Sequence, residues 1–451
     1  LDGAWGSGYR YDTTEVKGFS HVHAWQLSGL SVMPVSATKS VSALLRDYYS
    51  PFSHETEKVS PGYHRLLLDR YGIEVELTAT NRVGFHRYQY TNGSIWQILF
   101  SLAGTLGPSE IGAAEIRQAG PRELEGSLYN DPTRRRPKAT PLFFVVHFNA
   151  DLQRLAIEKT GEGELKGALA QLAAGDGPVL MKVGISYVDV EGARKNLDSE
   201  LPHWDFDRVA AESRDVWNDS LGRIRVDGGT HEQRVRFYTD LFHALQGRRI
   251  ISDADGRYSD QTGSKRVVRQ LPLDEDGRPR FNHHNSDSFW GAQWTIQTLW
   301  PLAWPRVASD FAQSLMTYYR DGGLVPRGPS GGNYTFVMTG ASSTPFLVSN
   351  WMKGIRDMDG EAAYRALRRN HMQGGIMERA GYEHGFALGG GLQYYIENGF
   401  VPYPLPETVT ANHTDGAGQT LEYAYQDWAL AQFASALGCL LYTSDAADDL
   451  L

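Results

Sequence analysis

Residues 63–90 read YHRLLLDRYGIEVELTATNRVGFHRYQY and contain three short runs rich in Leu, Ile, Val, Phe and Tyr. Polar and apolar residues alternate through much of each run, and the turn-forming stretches DRYG and NR separate the runs. This pattern is typical of antiparallel β-hairpins. We predict strands at residues 63–68, 73–80, 84–90, 142–148 and 179–187. Regular strand spacing of this kind favours a β-sandwich.

The second half of the chain changes to a helical period. Apolar residues recur at helical spacing in seven segments, at residues 207–221, 232–246, 294–304, 307–319, 346–356, 361–371 and 421–437. The last segment, LEYAYQDWALAQFASAL, is apolar almost all round, which predicts a helix buried on every side. Loops rich in Gly and Pro join the helices, as at residues 322–334 and 385–406. We therefore predict an α+β multidomain protein, an antiparallel β-sandwich followed by an incomplete α/α barrel.

The change in period divides the chain into four segments. We predict a β-sandwich whose start is missing at residues 1–202, a helical linker at 203–228, a partial catalytic barrel at 229–440 and a tail at 441–451. The tail, LYTSDAADDLL, resembles translated sequencing-adapter read-through, so we expect it to be non-native and exclude it from the fold. We expect the chain to be truncated at both ends.

Composition argues against several classes of function. A net charge of -9 over 451 residues argues against nucleic acid as the main partner, because a phosphate backbone needs a basic surface. No apolar run is long enough to span a bilayer. One cysteine, Cys439, excludes a disulfide framework and a Cys-rich metal site. The 11 Trp and 23 Tyr suit a sugar-binding cleft as well as a large core.

Residues 18–35, GFSHVHAWQLSGLSVMPV, contain two histidines, His21 and His23, that would share one face of a strand. They could ligate a metal, contact a substrate hydroxyl or form a hydrogen-bonded structural pair. The structural pair is favoured because the carboxylate and third histidine of a usual metal site are missing. Trp25 adds some weight to sugar binding.

Glu422 and Asp427 are carboxylates in the helix predicted to start at Leu421. In the first turn, the helix dipole would favour the negative charge of Glu422. A general acid must instead be protonated, which needs burial or a second carboxylate nearby. Both roles stay open for Glu422 at this point, and Asp427 is interpreted as structural.

Residues 282–294, NHHNSDSFWGAQW, place polar and aromatic side chains ahead of a predicted helix. Asp287 could cap a helix or turn, or bind substrate. Trp290 could belong to the core or form a stacking platform for a sugar.

Taken in order, several motifs resemble glycoside hydrolase family 92. They are a GFSHxH…SG…MP stretch (18–34), an FSHExExxxPGYY stretch with Lys58 in its variable part (52–63), GISYVDVEGARKNLDSE (184–200), WNDSLGRIRV (217–226), FYTDLFHAL (237–245) and a helix close to TLEYAYDDW (420–438). The match takes in nearly all of the chain except the tail.

The resemblance implies a β-sandwich followed by an (α/α)6 barrel, with the active site between them. It also implies exo-hydrolysis of α-mannosides with inversion, dependent on Ca2+. The family's general acid falls on Glu422. Candidates for the sugar pocket are His21, His23, Trp25, Asp287 and Trp290. The base aspartates and most calcium ligands of the family lie in later segments, beyond Gly438, so we expect no metal ligand within the chain and an inactive fragment.

One segment departs from the family pattern. The family's Trp-Asp followed by Arg has no clean counterpart in residues 289–297, FWGAQWTIQ. If Trp290 matches the Trp, Gly291 stands where an Asp would bind sugar, and Asp287 could substitute for it.

We predict that the intact enzyme is a periplasmic or secreted exo-α-mannosidase that acts on α-mannose-containing glycans, with α-1,2 as the expected linkage. Two alternatives stay open. One is a catalytically inactive glycan-binding homologue, and the other is a sandwich-plus-barrel hydrolase or phosphorylase acting on another glycoside. The oligomeric state is not predicted.

Overall fold

The computed structural model describes residues 11–24, 27–91, 95–106, 109–133, 136–247, 249–286, 289–292, 295–379, 390–403 and 416–439. Its strands are β1 (Glu15–Val16), β2 (Phe19–Ser20), β3 (His23–Ala24), β4 (Leu27–Ser28), β5 (Ser31–Val35), β6 (Ser50–Pro51), β7 (Lys58–Ser60), β8 (Tyr63–Leu68), β9 (Ile73–Ala79), β10 (Val83–Tyr90), β11 (Gln97–Ser101), β12 (Gly104–Leu106), β13 (Ser109–Gly120), β14 (Glu123–Asn130), β15 (Thr140–Phe148), β16 (Leu152–Lys159), β17 (Leu165–Leu172), β18 (Val179–Ser186), β19 (Arg249–Ile250), β20 (Arg257–Asp260), β21 (Val267–Gln270) and β22 (His284–Asn285). Its helices are α1 (Val41–Arg46), α2 (Val190–Glu200), α3 (Phe206–Leu221), α4 (His231–Leu245), α5 (Phe289–Ala292), α6 (Ile296–Ala303), α7 (Pro305–Gly322), α8 (Ser343–Met352), α9 (Gly360–Asn370), α10 (Leu392–Asn398) and α11 (Gly416–Ala436).

Two antiparallel sheets form the N-terminal sandwich. The larger sheet has nine strands in the order β12-β13-β14-β15-β18-β10-β9-β8-β7, and the smaller has five in the order β16-β17-β11-β5-β2. The five predicted strands are confirmed to within two residues at either end, as β8, β9, β10, β15 and β18. Alternation explains this: Ile73 and Val75 of β9 are buried in the core, whereas Glu76 lies on the other face and pairs with Arg87 of β10.

Helices α2 and α3 cover the outer face of the larger sheet. Val83 and Phe85 of β10 pack there in one buried cluster with Leu197 of α2 and Phe206 of α3. Helix α2 was not among the predicted helices, because its sequence VEGARKNLDSE has few apolar residues to show a period. Its start is capped by Asp189, whose Oδ1 accepts a hydrogen bond from the Gly192 backbone N–H at 2.6 Å.

The second half of the chain is helical, with two small two-stranded sheets, β19–β22 and β20–β21. An apolar cluster joins the helices and includes Trp300, Phe311, Phe346, Leu367 and Phe433. Each of the seven predicted helices has a counterpart, but α8 ends at Met352 rather than continuing to Arg356. Helix α10 lies inside the predicted loop at residues 385–406. Its seven residues are too few to show a period, and Gly391 and Gly399 bound it in left-handed conformations.

Helix α11 differs from its prediction in two ways. It begins at Gly416, before the predicted start at Leu421, because the stretch GAGQT continues the helix despite its lack of large apolar residues. The prediction that it is buried on every side is wrong for the residues described: Leu421 is 72% exposed and Trp428 is 60% exposed. The described neighbours, chiefly α8 and α9, pack on one side of it. None of the helices described is long and apolar enough to cross a membrane.

A buried loop at residues 324–341 lies where the two domains meet. Asn333 in this loop donates from Nδ2 to Thr140 Oγ1 of β15 at 3.1 Å. Gln261 donates from Nε2 to the Gly331 carbonyl at 2.9 Å, and Lys138 donates from Nζ to the Gln261 carbonyl at 2.5 Å. The sandwich therefore holds the loop that, in turn, contacts α11.

Candidate active site

The buried face of α11 changes character along its length. Gln419, Tyr423 and Gln426 make it polar in the N-terminal half, and Leu430 and Phe433 make it apolar in the C-terminal half. The apolar half packs in the core of the helical domain. Polar groups are buried only at a cost in free energy unless they are hydrogen-bonded, so the contacts of the polar half define the candidate site.

Glu422 lies half-buried beside this polar half. Because α11 begins at Gly416, Glu422 is in the second turn, and the expected stabilisation by the helix dipole in the first turn does not apply. Its Oε1 accepts a hydrogen bond from Gln426 Nε2 at 2.5 Å. Gln426 Oε1 accepts in turn from the backbone N–H of Ala341 at 2.5 Å. The Glu422 carboxyl is thus held through Gln426 to the buried loop.

Tyr423, next to Glu422, is buried and turned toward a carbonyl-rich surface. Its hydroxyl donates to the Gly390 carbonyl at 2.6 Å, and Gln419 Nε2 donates to the hydroxyl oxygen at 2.8 Å. Burial raises the pKa of Tyr423 to about 12, so the hydroxyl stays protonated near neutral pH. Tyr423 therefore fixes the rotation of α11 about its axis, and with it the direction of Glu422.

A second hydrogen-bond chain, which we call the His371 network, ties four helices together. His371 Nδ1 donates to Asp427 Oδ1 at 2.5 Å, and His371 Nε2 lies 2.8 Å from Thr344 Oγ1. Tyr395 donates from its hydroxyl to Asp427 Oδ2 at 2.9 Å. The order hydroxyl, imidazole, carboxylate is that of a nucleophile triad, but Thr344 is completely buried and cannot meet a substrate. The network therefore holds α11 against α8, α10 and the end of α9.

Trp290 lies in the short helix α5 and is half-buried. A Cβ atom at Gly328 would come within 3.0 Å of the Trp290 ring, so the glycine allows the ring to lie against the loop backbone. The neighbouring Arg327 donates from Nη1 to the Gly340 carbonyl at 2.7 Å. Gly340 in turn lies against the Gln426 amide. The buried loop therefore connects the surroundings of Trp290 with those of Glu422.

His21 forms hydrogen bonds through both of its ring nitrogens. Its Nδ1 donates to the Leu30 carbonyl at 2.9 Å, because a carbonyl oxygen can only accept, and its Nε2 accepts from His86 Nε2 at 2.7 Å. Tyr88 donates from its hydroxyl to His86 Nδ1 at 2.7 Å. Burial lowers the pKa of His21 to about 4 and lowers that of His86 well below its usual value. We call this chain the His21 network, and both of its imidazoles are neutral near pH 7.

The structure describes little or nothing of the remaining residues predicted for the sugar pocket. The backbone of His23 forms β3 with Ala24, whereas its side chain lies outside the described residues. Trp25 and Asp287 also lie outside the described residues.

A large cavity among the described residues lies away from Glu422. It has a volume of about 1930 Å³ and is bounded by the edge of the larger sheet and by α3 and α4. His21, Gly84, Tyr238 and Phe242 are among the residues that line it, and Glu422 is not. The size of this cavity would make it a candidate active site. However, the nitrogens of the histidine pair in its wall are already hydrogen-bonded to other groups of the protein. We therefore take the polar half of α11 and the buried loop as the candidate site.

Sequence reasoning missed the contacts that orient Glu422. Gln426 stands in the same helical motif and was not singled out, although an amide four residues after a carboxylate is a recognisable helical pair. Arg327 and His371 come from other segments, so no local pattern could have joined them to Glu422.

The described residues include no group of three or more His, Cys, Asp or Glu side chains placed to hold a metal ion. They do not form a carboxylate cage of the kind calcium prefers, so we assign no calcium ligand among them.

Comparison with known proteins gives the family. Residues 2–186 match the glycosyl hydrolase family 92 N-terminal domain, and residues 192–448 match the glycosyl hydrolase family 92 catalytic domain. The second match alone takes in more than half of the chain. The chain therefore belongs to glycosyl hydrolase family 92.

The chain is similar to an uncharacterized secreted glycosidase of Arthroderma benhamiae, with 23% identity over 273 residues, or 59% of this chain and 29% of that protein. It is also similar in structure to two proteins of Bacteroides thetaiotaomicron. One is a family GH92 inverting mannosidase (TM-score 0.81, 23% identity, 98% of this chain and 57% of that one). The other is a family GH92 α-mannosidase (TM-score 0.82, 23% identity, 99% and 59%), which has also been solved in complex with mannoimidazole.

These likenesses confirm the predicted fold class, a β-sandwich followed by part of an (α/α)6 barrel. The chain spans less than three fifths of the length of either solved structure and under a third of the curated relative.

Proposed function

We propose that this protein acts as an inverting exo-α-mannosidase, releasing mannose from α-mannose-containing glycans. The observation that carries the proposal is family membership along both domains. It is supported by the names of the two structural relatives, an inverting mannosidase and an α-mannosidase, and by the mannoimidazole complex of the second.

Glu422 is the proposed general acid. Inverting glycosidases use one carboxylic acid to protonate the departing oxygen and one carboxylate to activate a water on the opposite side of the sugar. The half-buried carboxyl of Glu422, oriented through Gln426, suits the first role. We assign no base among the residues that the structure describes.

Trp290 is the described residue that we propose for the sugar pocket, because an indole face stacks on the C–H face of a pyranose. His23, Trp25 and Asp287 stay proposals that rest on the sequence. We leave His21 out, because both of its ring nitrogens are engaged with Leu30 and His86.

Three finer properties belong to the same proposal: dependence on Ca2+, a preference for α-1,2 linkages and a periplasmic or secreted location. The first two rest on the family resemblance. The location is supported by the description of the Arthroderma benhamiae relative as secreted.

The test uses this chain and, in parallel, the longest open reading frame that contains it. Mannose release is measured from α-1,2-, α-1,3- and α-1,6-mannobiose, with Ca2+ and with a chelator. We expect the product of the longer reading frame to release mannose, to need Ca2+ for it and to act fastest on the α-1,2 substrate, whereas we expect this chain alone to release none. A folded product of the longer reading frame that releases no mannose from any of them contradicts the proposal and favours glycan binding or another sugar.

The acid role has a sharper test. Glu422→Gln should lower kcat on mannobiose by about 10²–10⁴-fold, the usual contribution of general acid catalysis. The loss should be much smaller on 2,4-dinitrophenyl α-mannoside, because that leaving group departs without protonation. Glu361→Gln, at an exposed position of α9, is the matched control. Equal losses on both substrates would assign Glu422 to structure instead.

A further inference from the structure

Gln426 is completely buried and touches the proposed acid from within the same helix. It lies four residues after Glu422, one helical turn along the same face, which brings the two side chains together. The Nε2 to Oε1 distance is 2.5 Å, a short hydrogen bond to one particular oxygen of the carboxyl group.

The orientation of the Gln426 amide follows from its second partner. The backbone N–H of Ala341 can only donate, so the amide atom 2.5 Å from it must be the carbonyl oxygen. The NH2 group must then face Glu422. The Ala341 N–H therefore distinguishes the oxygen of the Gln426 amide from its nitrogen.

The buried loop is shaped to receive this amide. Gly340, with φ of +77°, has no side chain where a Cβ would lie 2.7 Å from Gln426 Nε2. The Gly340 carbonyl is held by Arg327 Nη1 at 2.7 Å, which keeps the neighbouring Ala341 N–H in place. The position of the amide therefore depends on a loop that α11 does not contain.

A donor fixed on Oε1 has two chemical consequences. Oε1 must act as an acceptor in both protonation states of Glu422, so the acidic proton is on Oε2. The N–H group also stabilises the carboxylate more than the carboxylic acid, which limits how high in pH the acid form persists.

We propose that Gln426 is a positioning residue for the reaction, one that selects Oε2 of Glu422 as the oxygen that carries the proton to the glycosidic oxygen. This inference rests on the proposed acid role of Glu422. The side chain of Gln426 exchanges no proton itself, and it acts by orienting the carboxyl group and by setting the pH range in which the carboxyl is protonated.

The deciding variant is Gln426→Glu, which keeps the shape and can still accept from Ala341 N–H. Two adjacent carboxyl groups would share a proton, so the basic limb of the kcat profile should move up by roughly 1–3 pH units. The matched control is Gln432→Glu, the same change at an exposed position of α11, for which we expect no shift. A profile that stays unchanged in Gln426→Glu, or that moves equally in the control, overturns the proposal.

A second variant keeps the proposal testable if Gln426→Glu does not fold. Gln426→Met keeps the approximate volume and removes both hydrogen bonds, and it should lower kcat on mannobiose about tenfold with KM little changed. The dinitrophenyl substrate should be much less affected. Equal losses on the two substrates would indicate general structural damage and count against a positioning role.

A measurement that needs no catalytic turnover tests this inference independently of the proposed function. The protein is labelled with [5-13C]glutamate and titrated by NMR. The signal of the Glu422 carboxyl carbon is the one that is absent from the spectrum of Glu422→Gln. We expect its midpoint to rise in Gln426→Glu and in Gln426→Met. If neither midpoint moves, the hydrogen bond has no influence on Glu422, whether or not the protein is a mannosidase.

Discussion

In the sandwich, His21 and His86 bond to each other and to Tyr88, whereas in the helical domain His371 bonds to Asp427 and lies against Thr344. No carboxylate is among the partners that the structure describes for the two sandwich histidines. The His371 network is built around one. Both networks are buried, and both join segments far apart in the chain.

The difference shows that the hydrogen-bond partner of a buried histidine determines how that histidine affects the stability of the fold. Without a carboxylate, burial favours the neutral imidazole, so the His21 network is stable only while both rings are uncharged. In the His371 network, the imidazole donates to the carboxyl group of Asp427, and removal of that acceptor leaves buried donors without partners. We therefore expect acid to destabilise the first network, and loss of the carboxylate to destabilise the second.

The largest effect is expected from breaking the His371 network. Asp427→Ala leaves the buried His371 Nδ1–H and the Tyr395 hydroxyl without their acceptor. At about 1–3 kcal/mol for each buried donor left without a partner, the free energy of unfolding should fall by about 2–6 kcal/mol. Urea denaturation measures it, and Asp427→Asn provides a milder variant if Asp427→Ala does not fold. Glu361→Ala, in an exposed pair with Arg365, should change stability by less than about 0.5 kcal/mol. Similar small losses in both variants would show that the network stabilises little.

The second prediction tests the difference between the two networks by a change in pH. The pKa of His21 is about 4 in the folded protein and near 6.5 when unfolded, so the unfolded chain binds more protons between those values. Stability should therefore fall as pH drops from 6.5 toward 4. For His21 alone the loss between pH 7 and pH 4.5 is about 2–3 kcal/mol.

The double variant His21→Leu, His86→Phe should lose this part of the pH dependence, measured as the difference in urea unfolding between pH 7 and pH 4.5. The comparison with wild type is needed because Asp253, whose burial raises its pKa to about 6, acts in the opposite direction. The same pH dependence in both proteins would mean that the histidine pair does not sense acid.

The smallest effect is expected from Tyr395, which contributes one hydrogen bond to the His371 network. Tyr395→Phe removes the hydrogen bond to Asp427 Oδ2 and leaves the bond from His371, so the expected loss is about 1 kcal/mol. Tyr394→Phe, on the same helix, is the control and should stay within about 0.5 kcal/mol of wild type. A loss in Tyr395→Phe as large as in Asp427→Ala would mean that Tyr395 holds the network in place.

Much of the fold could be predicted because strands and helices differ in period. The strands at residues 63–68 and 84–90 alternate, and the helix at residues 307–319 carries an apolar stripe, so each was predicted nearly at its observed position. Helix α2 is polar and α10 is short, and neither has enough apolar residues to show a period.

The candidate site was predicted only in part. Glu422 could be named because a motif in its own helix resembles the family, but the motif gave no information about its hydrogen bonds. The prediction that Glu422 lies in the first helical turn was wrong, because a small-residue stretch beginning at Gly416 continues the helix.

The amino-acid sequence was enough to predict the order of the two domains, the family and the position of the proposed acid, because these depend on patterns carried by neighbouring residues. Folding in three dimensions brought His21 to His86 and made Gln426 the link between Glu422 and the loop at Ala341. Such partners are 65 and 85 residues apart along the chain. A hydrogen bond depends on distance and direction in space, and only packing of the sheets and helices supplies both.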